Sequence, residues 1–132
     1  MLKRLFLLPV AASFALCVGA CSGAPSEEDM VAQAVDLDWR AVVHEQLDNE
    51  ARAIDEWDGK IVRYDCKVWD VDADSAEVYS ETSNGYPLDS IDVTFASKDD
   101  LLAIERGTAI TVVGELDIEG IDKIINAYLV SD

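Results

Sequence analysis

Few residues in this chain have the type and spacing that chemistry requires. Asp70, Asp72 and Asp74 stand at alternate positions, and Glu81 closes a twelve-residue span that begins at Asp70. Oxygen donors at positions 1, 3, 5 and 12 are the ligand set of a calcium loop. Ser75, however, holds position 6, where such a loop needs glycine for its sharp turn, and Glu77 holds an ordinarily aliphatic position. The flanks alternate as strands do, so Asp70–Asp74 is expected to be a solvated turn. An acidic calcium-binding envelope domain is the alternative. His44 is the only histidine, so neither a metal site nor a Ser–His triad has a second member, and it reads as a surface helix residue. No G-x-S-x-G, H-E-x-x-H or phosphate-binding glycine loop occurs. The carboxylates show no distinguishable catalytic pair. The expectation is no enzyme, with no catalytic residue, metal or cofactor; an enzyme with an unrecognised carboxylate site is the rival reading.

Non-covalent recognition is better provided for. By alternation, Arg63, Lys67, Trp69, Glu77, Tyr79, Glu81, Asp92 and Thr94 fall on the outward face of three successive strands. Arg63, Lys67, Trp69 and Tyr79 form the candidate binding face, a stacking or peptide-docking surface built on Trp69 and Tyr79. The plainer explanation is cross-strand charge pairing, worth about 0.2–1 kcal/mol per pair. Cys66 lies on the opposite face and reads as a small buried hydrophobe.

The one site of covalent chemistry is at the N-terminus. Lys3 and Arg4 precede an uncharged run from Leu5 to Ala20. That run is shorter than the roughly 20 apolar residues of a spanning helix and has the layout of a secretory leader. Its end, Val18-Gly19-Ala20-Cys21, resembles the bacterial lipobox, in which the cysteine thiol takes a lipid and becomes the first mature residue. An ordinary leader cut after Ala20 is the alternative. With Cys17 lost and Cys21 lipidated, Cys66 has no disulfide partner; with Cys21 free, a Cys21–Cys66 bridge is open to it. The protein is expected in the cell envelope, lipid-anchored, and in a two-membrane host on the outer membrane facing the periplasm. Ser22 follows the cysteine there, in place of the Asp that retains lipoproteins in the inner membrane.

Charge narrows the partners. The chain has 132 residues, 27 acidic and 10 basic, with a net charge of −17, and loss of Lys3 and Arg4 makes it more negative still. A nucleic-acid binder needs Lys and Arg to displace counterions from phosphates, and anionic lipid surfaces repel an acidic domain. The expected partners are the membrane, through the anchor, and an envelope protein, a cationic peptide or a sugar polymer; nucleic acid is not expected.

These residues need a scaffold, and periodicity supplies one. Residues 1–20 are the leader and 21–35 a lipidated tether, with the small, acidic Ser22–Asp29 stretch reading as flexible. Residues 36–132 are the domain. Trp39, Val43, Leu47, Ala51 and Ile54 recur as one helical stripe from about Asp36 or Asp38 to Glu56, stopped by Gly59. The period then becomes two. Val62, Tyr64, Cys66 and Val68 form the first strand, and Ala76–Glu81 the second, with Ala76, Val78 and Ser80 inward. Ile91, Val93 and Phe95 form the third. A short helix, Lys98–Glu105, follows Ser97 and ends at Gly107. Ile110–Leu116 and about Asp122–Val130 complete five strands. The fold class is therefore mainly β (α+β): a five-stranded OB-fold-like barrel with an N-terminal helix and a short helix between strands 3 and 4.

Asn49, Ala53 and Trp57, followed by Gly59-Lys60-Ile61-Val62, match an Asn-x-x-x-Ala, aromatic, Gly-Lys-x-Val pattern. Phe95, Leu101, Leu102, Gly107, Ile110, Val112 and Gly114 match its second half. Over about Asn49–Val130 the chain thus resembles the tRNA-anticodon-binding-like family, an OB-fold group found in many bacterial lipoproteins. The family usually has glycine in its first strand where the barrel bends; Cys66 stands there, implying a strand that bends less. The resemblance implies the barrel. It does not imply RNA binding, which export and charge both oppose.

Overall fold

The computed structural model describes residues 25–131; the expected leader and the Cys21 anchor lie outside the described residues. The tether requires a correction. Residues 27–36 form helix α1 (Glu27–Gln33) and strand β1 (Val35–Asp36). The Ser26 hydroxyl accepts the Asp29 N–H at 3.2 Å, and Glu27, Glu28 and Asp29 occupy the first turn, where acidic side chains complement the helix dipole. The acidic run that reads as linker is a helix start. Met30 is buried because α1 packs against the outside of the barrel.

The single helix expected from about residue 36 to 56 is two helices, α2 (Trp39–Asp48) and α3 (Glu50–Trp57). Asn49 breaks the run. Its N–H closes α2 on the Glu45 carbonyl at 2.7 Å, and its side chain caps α3 by accepting the Arg52 N–H at 3.0 Å. The elbow rotates the stripe out of register. Trp39, Val42 and Ala53 are buried, whereas Leu47 is 81% exposed and Ala51 is also exposed.

The strands that follow are β2 (Ile61–Val71), β3 (Ala76–Tyr79), the β4–β5 hairpin (Thr82–Ser83, Tyr86–Pro87) and β6 (Ser90–Phe95). After helix α4 (Lys98–Ala103) come β7 (Ala109–Asp117) and β8 (Lys123–Val130). Sheet order is β1-β2-β3-β6-β8-β7, and a further β2–β7 pairing closes β2, β3, β6, β8 and β7 into a barrel. β6 and β8 run parallel, and the other barrel pairs are antiparallel. The fold is an OB-like barrel. The apolar side of each alternating strand fills it: Val62, Tyr64, Cys66 and Val68 from β2, Val78 from β3, Val93 from β6, Val112 and Leu116 from β7, Ile124 from β8.

Helices close both ends. At one, the Trp39 indole N–H donates to the Ser90 carbonyl at 3.3 Å, and Gln46 donates to Asp122 at 3.2 Å. At the other, α4 buries Leu101, with Ile104 just beyond it, while the Asp100 carboxylate accepts the Leu129 N–H at 3.0 Å. Leu102 is 70% exposed. Curvature comes from bulges. Asn126, at φ 52°, is an extra residue in β8 against both β6 and β7, and it sits opposite Gly114. A Cβ on Gly114 would lie 2.6 Å from Ile124 Cγ2 and 2.9 Å from the Ile125 carbonyl oxygen, so the chains meet this closely only because that atom is missing.

Candidate ligand-binding face

Val68 of β2 and Val78 of β3 are paired and buried, so their neighbours along each strand face outward. Lys67 lies opposite Tyr79. Between Val68 and Asp70 the register slips by one residue, which makes Trp69 the extra residue of a bulge in β2. The Trp69 and Tyr79 rings meet edge to face, with centroids 5.9 Å apart and planes at 85°. The Trp69 carbonyl accepts the Arg106 Nε–H at 3.2 Å.

Tyr86 completes the cluster, its ring centroid 6.1 Å from that of Trp69 and tilted by 52°. It arrives on the β4–β5 hairpin, whose central residues Asn84 (φ 55°) and Gly85 (φ 84°) supply the positive φ values of a tight hairpin turn. Arg40 of α2 secures the hairpin base through ion pairs to Glu81 at 2.5 Å and Asp89 at 2.7 Å. The Leu88 N–H donates to the Glu81 carbonyl at 2.9 Å.

Beside the rings runs a row of charge. Asp70, Glu77 and Asp92 are successive cross-strand partners, and Lys123 and Asp117 continue the row. Partial burial, and then the fields of Glu77 and Asp72, raise the Asp92 carboxyl above its ordinary value, with Lys123 opposing.

The structure brings Lys67, Trp69 and Tyr79 together. Arg63 is not with them: it lies on the other half of β2, opposite Asp36 and Val113, beside β1. Glu81 is engaged by Arg40, and Ser80, expected inward, is exposed because β3 ends at Tyr79. Tyr86, Asp70 and Arg106 are additions that sequence reasoning missed. The Asn84-Gly85 turn was a signal for the hairpin, but nothing local says that it folds back onto Trp69. Strict alternation likewise has no place for a bulge.

Other groups bear on chemistry. Burial pushes the Cys66 thiol up to about 12, which keeps it protonated and a poor nucleophile. It borders a groove of about 440 Å³ between the start of β7 and the end of β8, where Thr111 Oγ1 donates to Asp65 at 2.6 Å. In the Asp70–Asp74 segment, the Asp72 N–H donates to the Ser75 carbonyl at 2.8 Å in a tight turn. Among the described residues, no three His, Cys, Asp or Glu side chains gather as a metal would require. No helix among them is long and apolar enough to cross a membrane.

No family model and no curated protein matches the chain. Among solved structures, it is similar to a lipoprotein of Klebsiella pneumoniae subsp. pneumoniae MGH 78578, provisionally described as nucleic acid-binding. The two share 18% identity over 82% of this chain and 100% of that one, with a TM-score of 0.59. At that identity the likeness is one of fold: both chains are built on the same barrel.

Proposed function

We propose that this protein is a lipid-anchored, extracytoplasmic binding or assembly module without enzymatic activity, whose partner docks on the face around Trp69 and Tyr79. The observation that carries the reading is the Trp69–Tyr79–Tyr86 ring cluster on the outside of an OB-like barrel, a fold that presents ligands to that part of its surface. The anchor is supported by the Val18-Gly19-Ala20-Cys21 spacing and by the lipoprotein description of the structural neighbour. Ser22 after the cysteine supports an outer-membrane position facing the periplasm in a two-membrane host. Membership of the tRNA-anticodon-binding-like family is part of the same proposal and rests on the residues from Asn49 onward.

The neighbour's described nucleic-acid binding is not carried over. A net charge of −17 surrounds this chain with a field that repels phosphates, and base stacking supplies only about 1–3 kcal/mol per base. The partner is an envelope protein, a cationic peptide or a sugar polymer. The test uses the chain extracted from its membranes in mild detergent, as wild type and as Trp69→Ala. A stoichiometric partner held by the wild type and released by the variant supports the reading. Equal capture by both removes the ring face from it, and micromolar RNA or DNA binding with a steep salt dependence overturns the charge argument.

A further inference from the structure

On that reading of the ring face as the binding surface, we propose that its partner is a basic peptide segment, an exposed run of a protein chain with Arg or Lys at alternate positions. The rings and the carboxylate row beside them together form the site.

The carboxylate row is the deciding feature. Like charges directly opposite each other across strands destabilise a sheet, yet Glu77 faces both Asp70 and Asp92. Lys123 adjoins only the Asp92 end of the row. Asp92 holds its proton more tightly than an ordinary aspartate because of burial and of Glu77 and Asp72. A guanidinium or ammonium group laid over Glu77 and Asp92 removes that repulsion. A neutral sugar would stack on the rings and leave it in place.

The rings supply the second half of the site. The negative faces of indole and phenol rings attract cations, and Arg also stacks on them. Lys67, opposite Tyr79, and Arg106, bound to the Trp69 carbonyl, also border the rings, so the peptide's cations are drawn to the side of the rings next to Asp70 and Glu77, away from Lys67. Tyr86 is 69% exposed, so the cluster is open to a ligand. Geometry links the halves. Trp69 lies on β2, Glu77 on β3 and Asp92 on β6, and neighbouring strands are about 4.8 Å apart. In an extended peptide, side chains on one face recur about every 7 Å, so successive basic residues reach the rings and then the row. The acidic molecule as a whole draws such a peptide in.

The test titrates the detergent-extracted full chain with a fluorescein-labelled peptide of alternating Arg and Gly, a Gln–Gly control of equal length, and a neutral chitin oligosaccharide. Saturable binding of the Arg peptide that weakens with salt is expected, with no binding of the control. Trp69→Ala should lower that affinity at least tenfold, and the Glu77→Gln/Asp92→Asn pair several-fold, with circular dichroism confirming that both variants are folded. Arg-peptide binding that is unchanged by Trp69→Ala, or absent, overturns the proposal. If the oligosaccharide binds through Trp69 and the Arg peptide does not, the partner class is wrong but the ring face stands. If neither probe, nor any partner from the envelope extract, depends on Trp69, both readings fall.

Discussion

Asp58 holds the backbone N–H of Ile118 at 2.8 Å, and the same carboxylate oxygen accepts the Glu119 N–H at 3.2 Å. One side chain at the end of α3 therefore satisfies two backbone donors where β7 leaves the barrel. The adjoining Gly59 N–H adds a bond to the Leu116 carbonyl at 2.7 Å. The N-terminal helices are joined to the barrel by hydrogen bonds as well as by apolar packing. Asp58→Ala should cost about 1.5–3 kcal/mol, the range for hydrogen bonds to a charged group. The urea midpoint should fall with the slope unchanged; an unaltered midpoint would show that water replaces the carboxylate without loss.

Gly114 is expected to reject any side chain. An added methyl meets the Ile124 side chain and the Ile125 carbonyl oxygen at distances no Cβ tolerates, and the backbone atom cannot rotate away. Gly114→Ala should destabilise the barrel by about 1–3 kcal/mol, as overpacking does. Thermal melting would show this, and a melting temperature equal to that of the wild type would mean that β8 shifts freely.

Asp92 carries a pH signature. Its folded-state pKa is raised, so the folded protein binds this proton more tightly than the unfolded chain. The carboxyl therefore contributes stability below its unfolded pKa, and that contribution is lost as pH rises through the folded value. At neutral pH the charge is a liability, and Asp92→Asn should stabilise the protein. The site is largely solvent-exposed, so screening limits the gain to the low end of the roughly 0.2–1 kcal/mol for a cross-strand charge pair. The gain should vanish once the pH falls below about 4, the ordinary carboxylate range. Denaturant melts of both proteins across that range would check it, and an equal gain at every pH would rule out the charge as its cause.

The anchor makes its own prediction. Cys21→Ser should release the protein from the membrane fraction or block its maturation, because only the thiol accepts the thioether lipid. Mass spectrometry of the mature N-terminus reads the outcome directly. Unchanged membrane association, with no lipid on Cys21 in the wild type, would point to an ordinary leader cut after Ala20.

The sequence alone determined the features that local physics controls. Period-two alternation marked four barrel strands at Val62–Val68, Ala76–Glu81, Ile91–Phe95 and Ile110–Leu116, because a half-buried strand must alternate, although the second ends at Tyr79. The Glu119-Gly120 turn marked the fifth, about Asp122–Val130. Asp38, one of two candidate caps, and Ser97 marked helix starts, and helix and strand order indicated the barrel. The short helix expected to reach Glu105 and stop at Gly107 ends at Ala103, and Gly107 serves the turn before β7. The tertiary structure decided everything that depends on partners distant along the chain. Asn49 ends one helix and starts another, since a broken pair places Trp39, Val42 and Ala53 on the barrel end where one straight stripe would not. Glu27–Gln33 is a helix because a barrel wall is there to bury Met30. Trp69 bulges because β2 changes partner from β7 to β3 near Lys67, and Tyr86 reaches it only because a hairpin folds back. Arg63 and Trp69 share a strand face by alternation, yet β1 flanks one and the rings surround the other. Alternation reports which side of a strand is wet; what else stands on that side depends on register, bulges and loops, which have no local code.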